Sequence, residues 1–330
     1  MHEFPSAAFF INSPQKQTVM TIQQFKQSAL QKLYSSPSPA LDVDVFLQWA
    51  LDKDKTFILF NRDMELSPEV QEKLKGAVEK RKTGLPVAYI TGHKEFFGLD
   101  FHVTPDVLIP KPDTEVLVEN AANWLFDCYS RRPQIFNICD MCTGSGCVGI
   151  SLMKFIGGGS ASGSPVSKEH LPGLTMCDIS KDALEVAKLN ADTLLSKAER
   201  QKVQFVHTNL FDNLGHTKSG IYDLIVSNPP YVPALETTEL LKDGRSEPRL
   251  ALDGDVTHEG KPSGTMDGLE LIRNLIPQAY RFLIPGGMLI LETGEYNAEE
   301  TKKIMEQNGF KDTKLYYDLE GQLRNVSGIK

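Results

Sequence analysis

The chain lacks the long apolar run that a membrane-spanning helix requires, since no hydrophobic stretch approaches roughly 18 residues. Its 330 residues include only five cysteines, an odd number that argues against a disulfide scaffold and favours a reducing, cytoplasmic location. Residues 1–20 contain no arginine, and no Lys or Arg precedes their short apolar patch. We therefore expect a loose tail there, not a secretory signal or a transit peptide.

An excess of positive charge is also missing. Lys and Arg total 35 against 43 Asp and Glu, which gives a net charge of -8. Proteins that hold nucleic acid by general phosphate attraction need the opposite balance. The composition disfavours that class of function, while 41% hydrophobic residues are enough for a globular core.

The chain divides into a helical part and an α/β part. Over residues 21–92, apolar residues recur at helical spacing, and Ser67-Pro68-Glu69 is a strong helix start. Residues 93–110 alternate around Gly98-Leu99-Asp100, which predicts a hairpin linker. Residues 111–330 alternate between strand and helix patterns, which predicts an α/β sheet.

Five strands are predicted in order, at residues 135–140, 174–178, 203–207, 222–227 and 288–292, before a closing hairpin at 314–319 and 323–328. The apolar stripe from Leu184 to Ala198 predicts one amphipathic helix. Pro285-Gly286-Gly287 is expected to lead into the fifth strand. The Gly/Ser-rich segment 157–172 is interpreted as a tolerated insertion at the sheet edge opposite the ligands.

A glycine-rich turn follows the first strand, in the sequence Asp140-Met141-Cys142-Thr143-Gly144-Ser145-Gly146. Glycines let the backbone approach a ligand, and the next helix offers unpaired N–H groups. The spacing matches neither the dinucleotide fingerprint nor a phosphate loop. On its own, such a turn is equally consistent with a plain structural turn.

Further residues make this turn more specific. Asp178 ends the second strand, where an acid can accept both hydroxyls of a ribose. Leu210 and Phe211 follow the third strand and are expected to wall an adenine ring, with Asn209 at its edge. Together these features predict an adenosyl ligand without a pyrophosphate, which is S-adenosylmethionine.

The sharpest signal is Asn228-Pro229-Pro230-Tyr231, directly after the fourth strand. The prolines end the strand and restrict the residues before them, so the loop is stiff. Asn228 and the Pro229 carbonyl can accept the two N–H groups of a substrate nitrogen and aim its lone pair at a methyl donor. Tyr231 can pack on a planar substrate group. The alternative is a proline-stiffened loop with a capping Asn.

With these motifs, the chain resembles the class I methyltransferases that modify glutamine in peptide chain release factors. The Asn-Pro-Pro-Tyr tetrapeptide is shared with adenine-N6 methyltransferases, so further segments carry the resemblance: Pro86 to Gly92, Glu95 to Gly98, Ile109 to Glu115, Glu247-Pro248 and Asp267-Gly268-Leu269. It implies a seven-stranded, Rossmann-like sheet, a helical N-terminal substrate-recognition domain and the Gln of a Gly-Gly-Gln loop as substrate.

The resemblance also assigns residues. The cofactor contacts that it implies are Cys142, Thr143, Gly144, Ser145, Gly146, Asp178, Leu210 and Asn228. The substrate contacts are Asn228, Pro229, Pro230 and Tyr231, with Asn228, Pro229 and Tyr231 as the catalytic residues. No metal site is expected. Cys142 departs from the usual glycine, Asn209 stands where an acid is common, and residues 255–265 lengthen a loop.

Four alternatives stay open at this point. Cys139-x-x-Cys142, with Cys147 and Cys177 nearby, could form a metal or redox site, although a structural zinc needs four ligands. A ribosomal-protein glutamine methyltransferase would share the tetrapeptide and the cofactor site. An adenine-N6 methyltransferase would need a basic target-binding region. A degenerate methyltransferase acting as a binding module would rest on Cys142 alone.

Overall fold

The structure is a computed structural model that describes residues 20–131, 134, 136–158, 170–215, 219–242, 247–257 and 261–330. The predicted tail up to residue 19, and residues 159–169 of the Gly/Ser-rich segment, lie outside the described residues. The chain separates into two compact units, Met1–Thr91 and Gly92–Lys330. Across the described ranges, no helix is both long and apolar enough to cross a membrane.

The first unit is helical. Its helices are α1 (Ile22–Lys32), α2 (Pro39–Leu51), α3 (Lys55–Phe60), α4 (Pro68–Lys82) and α5 (Val87–Thr91). Thr21 begins α1 with a capping box, and the Ser67 hydroxyl caps α4 with Pro68 in the first turn, as its sequence predicts. The helices bury a shared apolar core that includes Phe46, Leu47 and Leu74.

The second unit opens with a hairpin of β1 (His93–Phe96) and β2 (Leu99–His102). Its turn is at Phe97 and Gly98, with φ of 54° and 73°, so the expected turn over Gly98-Leu99-Asp100 is shifted. Leu99 and Asp100 pair within the strands instead. The amide of Asn190 bonds both backbone groups of His102 and the carbonyl of Ser145, which ties the hairpin to the glycine-rich turn.

A seven-stranded sheet forms the centre of this unit. Its strands are β3 (Asn137–Met141), β4 (Gly173–Asp178), β5 (Val203–His207), β6 (Tyr222–Ser227), β7 (Leu283–Glu292), β8 (Lys311–Tyr317) and β9 (Leu323–Ile329). The spatial order is β5-β4-β3-β6-β7-β9-β8. The first five of these are parallel, while β9 runs antiparallel to both β7 and β8.

Helices follow the strands as in a doubly wound sheet. They are α6 (Glu115–Arg131), α7 (Cys147–Gly158), α8 (Lys181–Leu194), α9 (Lys197–Arg200), α10 (Ala234–Lys242), α11 (Glu270–Phe282) and α12 (Ala298–Gln307). Because side chains alternate along a strand, each central strand contributes side chains to two apolar cores, one on each face of the sheet. Ile138 and Leu224 lie in one core, and their neighbours Cys139 and Ile225 lie in the other.

Two further sequence expectations differ from the structure. The helix expected from Leu184 to Ala198 is broken after Leu194, because Ser196 begins α9 with its own capping box to Glu199. The fifth strand, expected from residue 288, begins five residues earlier at Leu283. The register of β6 against β7 shifts between Tyr222 and Leu224, so the expected Pro285-Gly286-Gly287 turn is an irregular part of the strand instead.

Candidate active site

The glycine-rich turn after β3 bends sharply through left-handed backbone. Cys142, Gly144 and Gly146 have φ of 60°, 54° and 83°. A cysteine in this left-handed region carries backbone strain that a glycine would not. A Cβ on Gly146 would lie 2.7 Å from Met176 Cε, so Gly146 packs the turn against the sheet.

Asp140, near the end of β3, anchors this turn through its side chain. Its Oδ2 accepts bonds from the Thr143 hydroxyl at 2.6 Å and from the backbone N–H of Gly149 at 3.0 Å. Burial raises the pKa of Asp140 to about 7, although both bonds favour the charged form. The carboxyl therefore fixes the start of α7 against the end of β3.

Asp178 ends β4 beside the same turn. Its two oxygens accept the backbone N–H groups of Gly144 and Ser180, each at 2.9 Å. Burial raises the pKa of this carboxyl, and the backbone bonds oppose that shift. A carboxylate has about four acceptor positions, so the fixed group keeps positions for hydroxyl groups of a ligand.

A cleft of about 270 Å³ lies at the carboxyl ends of β3 to β6. Its predicted lining residues are Cys142, Thr143, Gly144, Ser145, Asp178, Asn209, Leu210, Asn228 and Pro230. The remaining walls include Thr114, Leu271 and the following residues of three loops: Pro105, Asp106, Val107, Leu108, Pro110, Lys111, Pro248, Leu250, Ala251, Val256 and Thr257. The ligand edge inferred from strand order is thus where the cleft lies.

The loop after β6 is held at several points. Asn228 Nδ2 donates to the Thr114 hydroxyl at 3.1 Å, and the Tyr231 phenol donates to Glu292 Oε1 at 3.1 Å. Asn297 donates from its side chain to the Tyr231 carbonyl at 3.2 Å. The tetrapeptide is therefore fixed at both ends, which is the stiffness expected of it.

Backbones also close on this loop from behind. A Cβ on Gly268 would lie 2.0 Å from the Tyr231 carbonyl oxygen, and one on Gly254 would lie 2.2 Å from the Gly268 carbonyl oxygen. Asp255, next to Gly254, accepts bonds from the N–H groups of Ala234 and Gly268. The lengthened loop at residues 255–265 is thus fastened where it begins and where it ends.

Some predicted site residues lie away from the cleft. Gly146 packs behind the turn, and Phe211, expected at the adenine wall, stacks on Phe282 with ring centroids 4.8 Å apart. Tyr231 points its phenol toward Glu292. Their roles toward ligands, and that of the Pro229 carbonyl, stay predictions.

Sequence reasoning missed Thr114 and Glu292. Glu292 ends β7 at the ligand edge, the same position that Asp178 has on β4, so strand-end acids were a usable signal. Thr114 lies in the segment from Ile109 to Glu115 that carries the resemblance, and nothing else in the sequence marks it.

The cysteines do not form the alternative metal centre within the described residues, where no cluster of three or more His, Cys, Asp or Glu side chains could hold a metal. The sulfurs of Cys139 and Cys177 are 4.0 Å apart, and both thiols are buried. Burial raises the pKa of Cys142, so this thiol is protonated at neutral pH.

These residues fit S-adenosylmethionine. The turn exposes backbone close to the cleft, Asp178 offers a fixed carboxylate for ribose hydroxyls, and Leu210 supplies an apolar wall. Pyrophosphate would need a run of free N–H donors, whereas the N–H groups of Thr143, Gly144 and Gly146 already bond the Cys177 carbonyl, Asp178 and the Thr143 carbonyl. The sheet order and this site define a class I methyltransferase that uses S-adenosylmethionine.

Comparison with known proteins identifies the family. The PrmC N-terminal domain model matches residues 23–92, and the methyltransferase small domain model matches residues 115–245. The release factor glutamine methyltransferase of Moorella thermoacetica is 34% identical, with 92% of this chain and 97% of the relative covered. That of Geobacter sulfurreducens is 35% identical, with 87% and 88% covered. The chain belongs to the release factor glutamine methyltransferase family.

A solved methyltransferase structure from Pyrococcus furiosus is also similar, with 18% identity, a TM-score of 0.42 and coverage of 80% of this chain and 99% of that chain.

Proposed function

We propose that this protein transfers a methyl group from S-adenosylmethionine to the side-chain amide nitrogen, N5, of the Gln in the Gly-Gly-Gln loop of peptide chain release factors. Membership of the family supports this substrate. The observation that carries the proposal is the fixed Asn228 amide, which lines the same cleft as Asp178 and the glycine-rich turn. We place the reaction in the cytoplasm, where release factors act.

The cofactor, when bound, supplies an electrophilic methyl group. Asn228 Oδ1 and the Pro229 carbonyl accept the two N–H groups of the substrate amide, and this draws the nitrogen toward a pyramidal shape. The stiff loop holds both acceptors in fixed directions, so little reorganisation accompanies the transfer. The nitrogen would gain the methyl group as that group's bond to the cofactor's sulfur breaks and leaves a neutral thioether, and it would then lose one proton to water, so no strong base is needed beforehand.

The activity is tested with labelled cofactor and three candidate substrates: a release factor, a ribosomal protein and DNA. We expect one added methyl group on the Gln of the release factor, located by mass spectrometry of its peptides. Label on the ribosomal protein alone, or on adenine, would instead support one of the two rival methyltransferases.

We also propose that residues 21–92 recognise the release factor outside the Gly-Gly-Gln loop, with residues 93–110 as a linker to the methyltransferase domain at 111–330. A Gly-Gly-Gln loop offers little side-chain surface, so a second contact would add orientation and effective concentration. Phe60, 80% exposed at the end of α3, is a candidate for that contact.

Phe60→Ala tests this role. We expect it to lower kcat/KM for the intact release factor and to leave kcat/KM for a short Gly-Gly-Gln peptide unchanged. Leu319→Ala, at a fully exposed apolar residue of the other unit, is the matched control. Equal loss on protein and peptide would contradict recognition by this surface.

A further inference from the structure

Two of the segments that carry the family resemblance meet at the cleft, and the proposed reaction gives their charged residues no role. Lys111 lies in the segment from Ile109 to Glu115, and Glu247 directly precedes Pro248. The Lys111 ammonium donates to Glu247 Oε1 at 2.6 Å, although the two residues are 136 positions apart in the chain. Because Lys111 and Pro248 both line the cleft, this ion pair belongs to the cleft wall.

Lys111 gives this wall its positive charge. Among the described residues that line the cleft, Lys111 is the only one with a basic side chain. The other polar side chains of that lining are neutral, as in Thr143 and Asn228, or acidic, as in Asp178. An anionic group of a ligand therefore has a single side-chain partner of opposite charge in the described part of the cleft.

Glu247 fixes where that charge lies. The Glu247 side chain is 9% exposed, whereas the Lys111 side chain is 43% exposed, so the carboxylate is covered and the lysine stays accessible. An ammonium has three N–H donors, and Glu247 takes one of them. Donors for a ligand therefore remain, on a side chain whose position the ion pair restricts.

The place of Lys111 along the cleft follows from its neighbours. The N–H of Thr114 donates to the Lys111 carbonyl at 3.1 Å, and the Thr114 hydroxyl accepts the Asn228 amide at 3.1 Å. Asp178, by contrast, ends β4, and β3 lies between β4 and the strand that leads to Asn228. Lys111 thus lies on the Asn228 side of the cleft, away from the expected ribose partner.

S-adenosylmethionine has a group that fits this charge. Its sulfonium carries three arms: the adenosyl group, the methyl group, and a short carbon chain that ends in a carboxylate and an ammonium. With the ribose at Asp178 and the methyl group toward Asn228, the third arm begins on the side of the cleft where Lys111 is the lining cation. Hydrogen bonds between an ammonium and a carboxylate are roughly twice as strong as neutral ones.

We propose that Lys111, held in place by Glu247, binds the carboxylate of the methionine part of S-adenosylmethionine. This role rests on the cofactor and not on the identity of the methyl acceptor. It adds a cation to the cofactor contacts that the resemblance implies, which are neutral apart from Asp178. Lys111 thereby distinguishes the cofactor from adenosyl compounds that lack the carboxylate.

Decarboxylated S-adenosylmethionine tests this contact, because it lacks the carboxylate and keeps the sulfonium and the adenosyl group. Calorimetry with both ligands, in the absence of a methyl acceptor, gives the ratio of their affinities. Lys111→Met keeps the apolar stem and removes the charge. We expect this variant to lose roughly 10-fold in affinity for S-adenosylmethionine and to lose no affinity for the analogue. The loss stays at the low end for a charged pair because the lysine side chain is 43% exposed.

Lys154→Met is the matched control. Lys154 pairs with Glu199 at 3.7 Å, with side-chain exposures of 35% and 8%, and it is not among the described residues that line the cleft. This variant should keep the wild-type affinity for both ligands. Lys111→Arg keeps a cation that can bond a carboxylate, so it should retain most of the preference for S-adenosylmethionine over the analogue.

Two results would overturn the proposal. An unchanged affinity of Lys111→Met for S-adenosylmethionine would mean that other groups hold the carboxylate. Equal loss on both ligands, including loss of all binding, would mean that the ion pair with Glu247 only supports the cleft wall. Neither result bears on the methyl acceptor, since none is present. If the preference is as expected while release factors are not methylated, only the proposed function fails.

Discussion

Glu292→Gln should change the way in which stability depends on pH. Burial raises the pKa of Glu292 from its ordinary 4.5 to about 7, and the neighbouring hydroxyl groups, including the Tyr231 phenol that bonds Oε1, offset only part of that shift. The folded protein therefore holds this proton more tightly than the unfolded chain does. The stability linked to the proton is complete below pH 4.5 and is lost as pH rises through 7.

The magnitude follows from the shift. Each pKa unit corresponds to about 1.4 kcal/mol, so a rise from 4.5 to about 7 amounts to about 3 kcal/mol in total. About 2 to 3 kcal/mol of this is lost between pH 5 and pH 8. Gln has no proton to lose, so the variant should gain that amount relative to the wild type over this range.

The assay is urea unfolding of both proteins at pH 5 and pH 8, without cofactor, followed by fluorescence at low protein concentration. Asp140, whose pKa is also raised to about 7, is present in both proteins, so its contribution cancels in the difference. If the two stability curves run parallel between these pH values, Glu292 is not a buried acid that ionises against its surroundings.

Three further outcomes are expected. Asn228→Ala should lower kcat by at least about 100-fold while cofactor affinity falls less, since its acceptor acts mainly in the transition state; near-normal turnover would contradict the mechanism. Asp178→Ala should weaken S-adenosylmethionine binding by roughly 1.5–3 kcal/mol in calorimetry, and an unchanged affinity would mean that the ribose is held elsewhere. Gly149→Ala should destabilise the fold by roughly 1–3 kcal/mol, because the new Cβ would lie 2.8 Å from Asp140 Oδ2. Gly76→Ala is the control and should not destabilise the fold, since the space around Gly76 is open. Equal midpoints of urea unfolding for the two variants would argue against crowding at Gly149.

Much of the sheet could be predicted because its strands are short apolar runs that end in recognisable signals. The strand over 203–207 and the strand over 222–227 match β5 and β6 residue for residue. The seven-stranded fold is confirmed by the strand order. The break before α9 was also present in the sequence, because Ser196 and Glu199 form a capping box that outweighs the continuing apolar stripe.

The partners of the catalytic loop could not be predicted in the same way. Asn228 and Thr114 are 114 positions apart in the chain, and Tyr231 and Glu292 are 61 apart. Such pairs depend on which strand neighbours which, and a single sequence does not give the register of β7 against β6. Local sequence motifs therefore identified the loop, whereas the distant residues that contact it could be identified only from the structure.

The two glycines behind Tyr231 have a consequence for how this enzyme can vary. Gly254 and Gly268 press their backbones together with that of Tyr231 at distances that leave no room for a Cβ. This close backbone contact fixes the loop that carries Asn228. The length of the other loop, between the two glycines, therefore does not affect the position of Asn228. The loop segment between Thr257 and Gly268 can therefore be lengthened, shortened or replaced, provided that both glycines stay. Divergence among relatives should gather in that interval, and a foreign binding loop grafted there should leave methyl transfer intact.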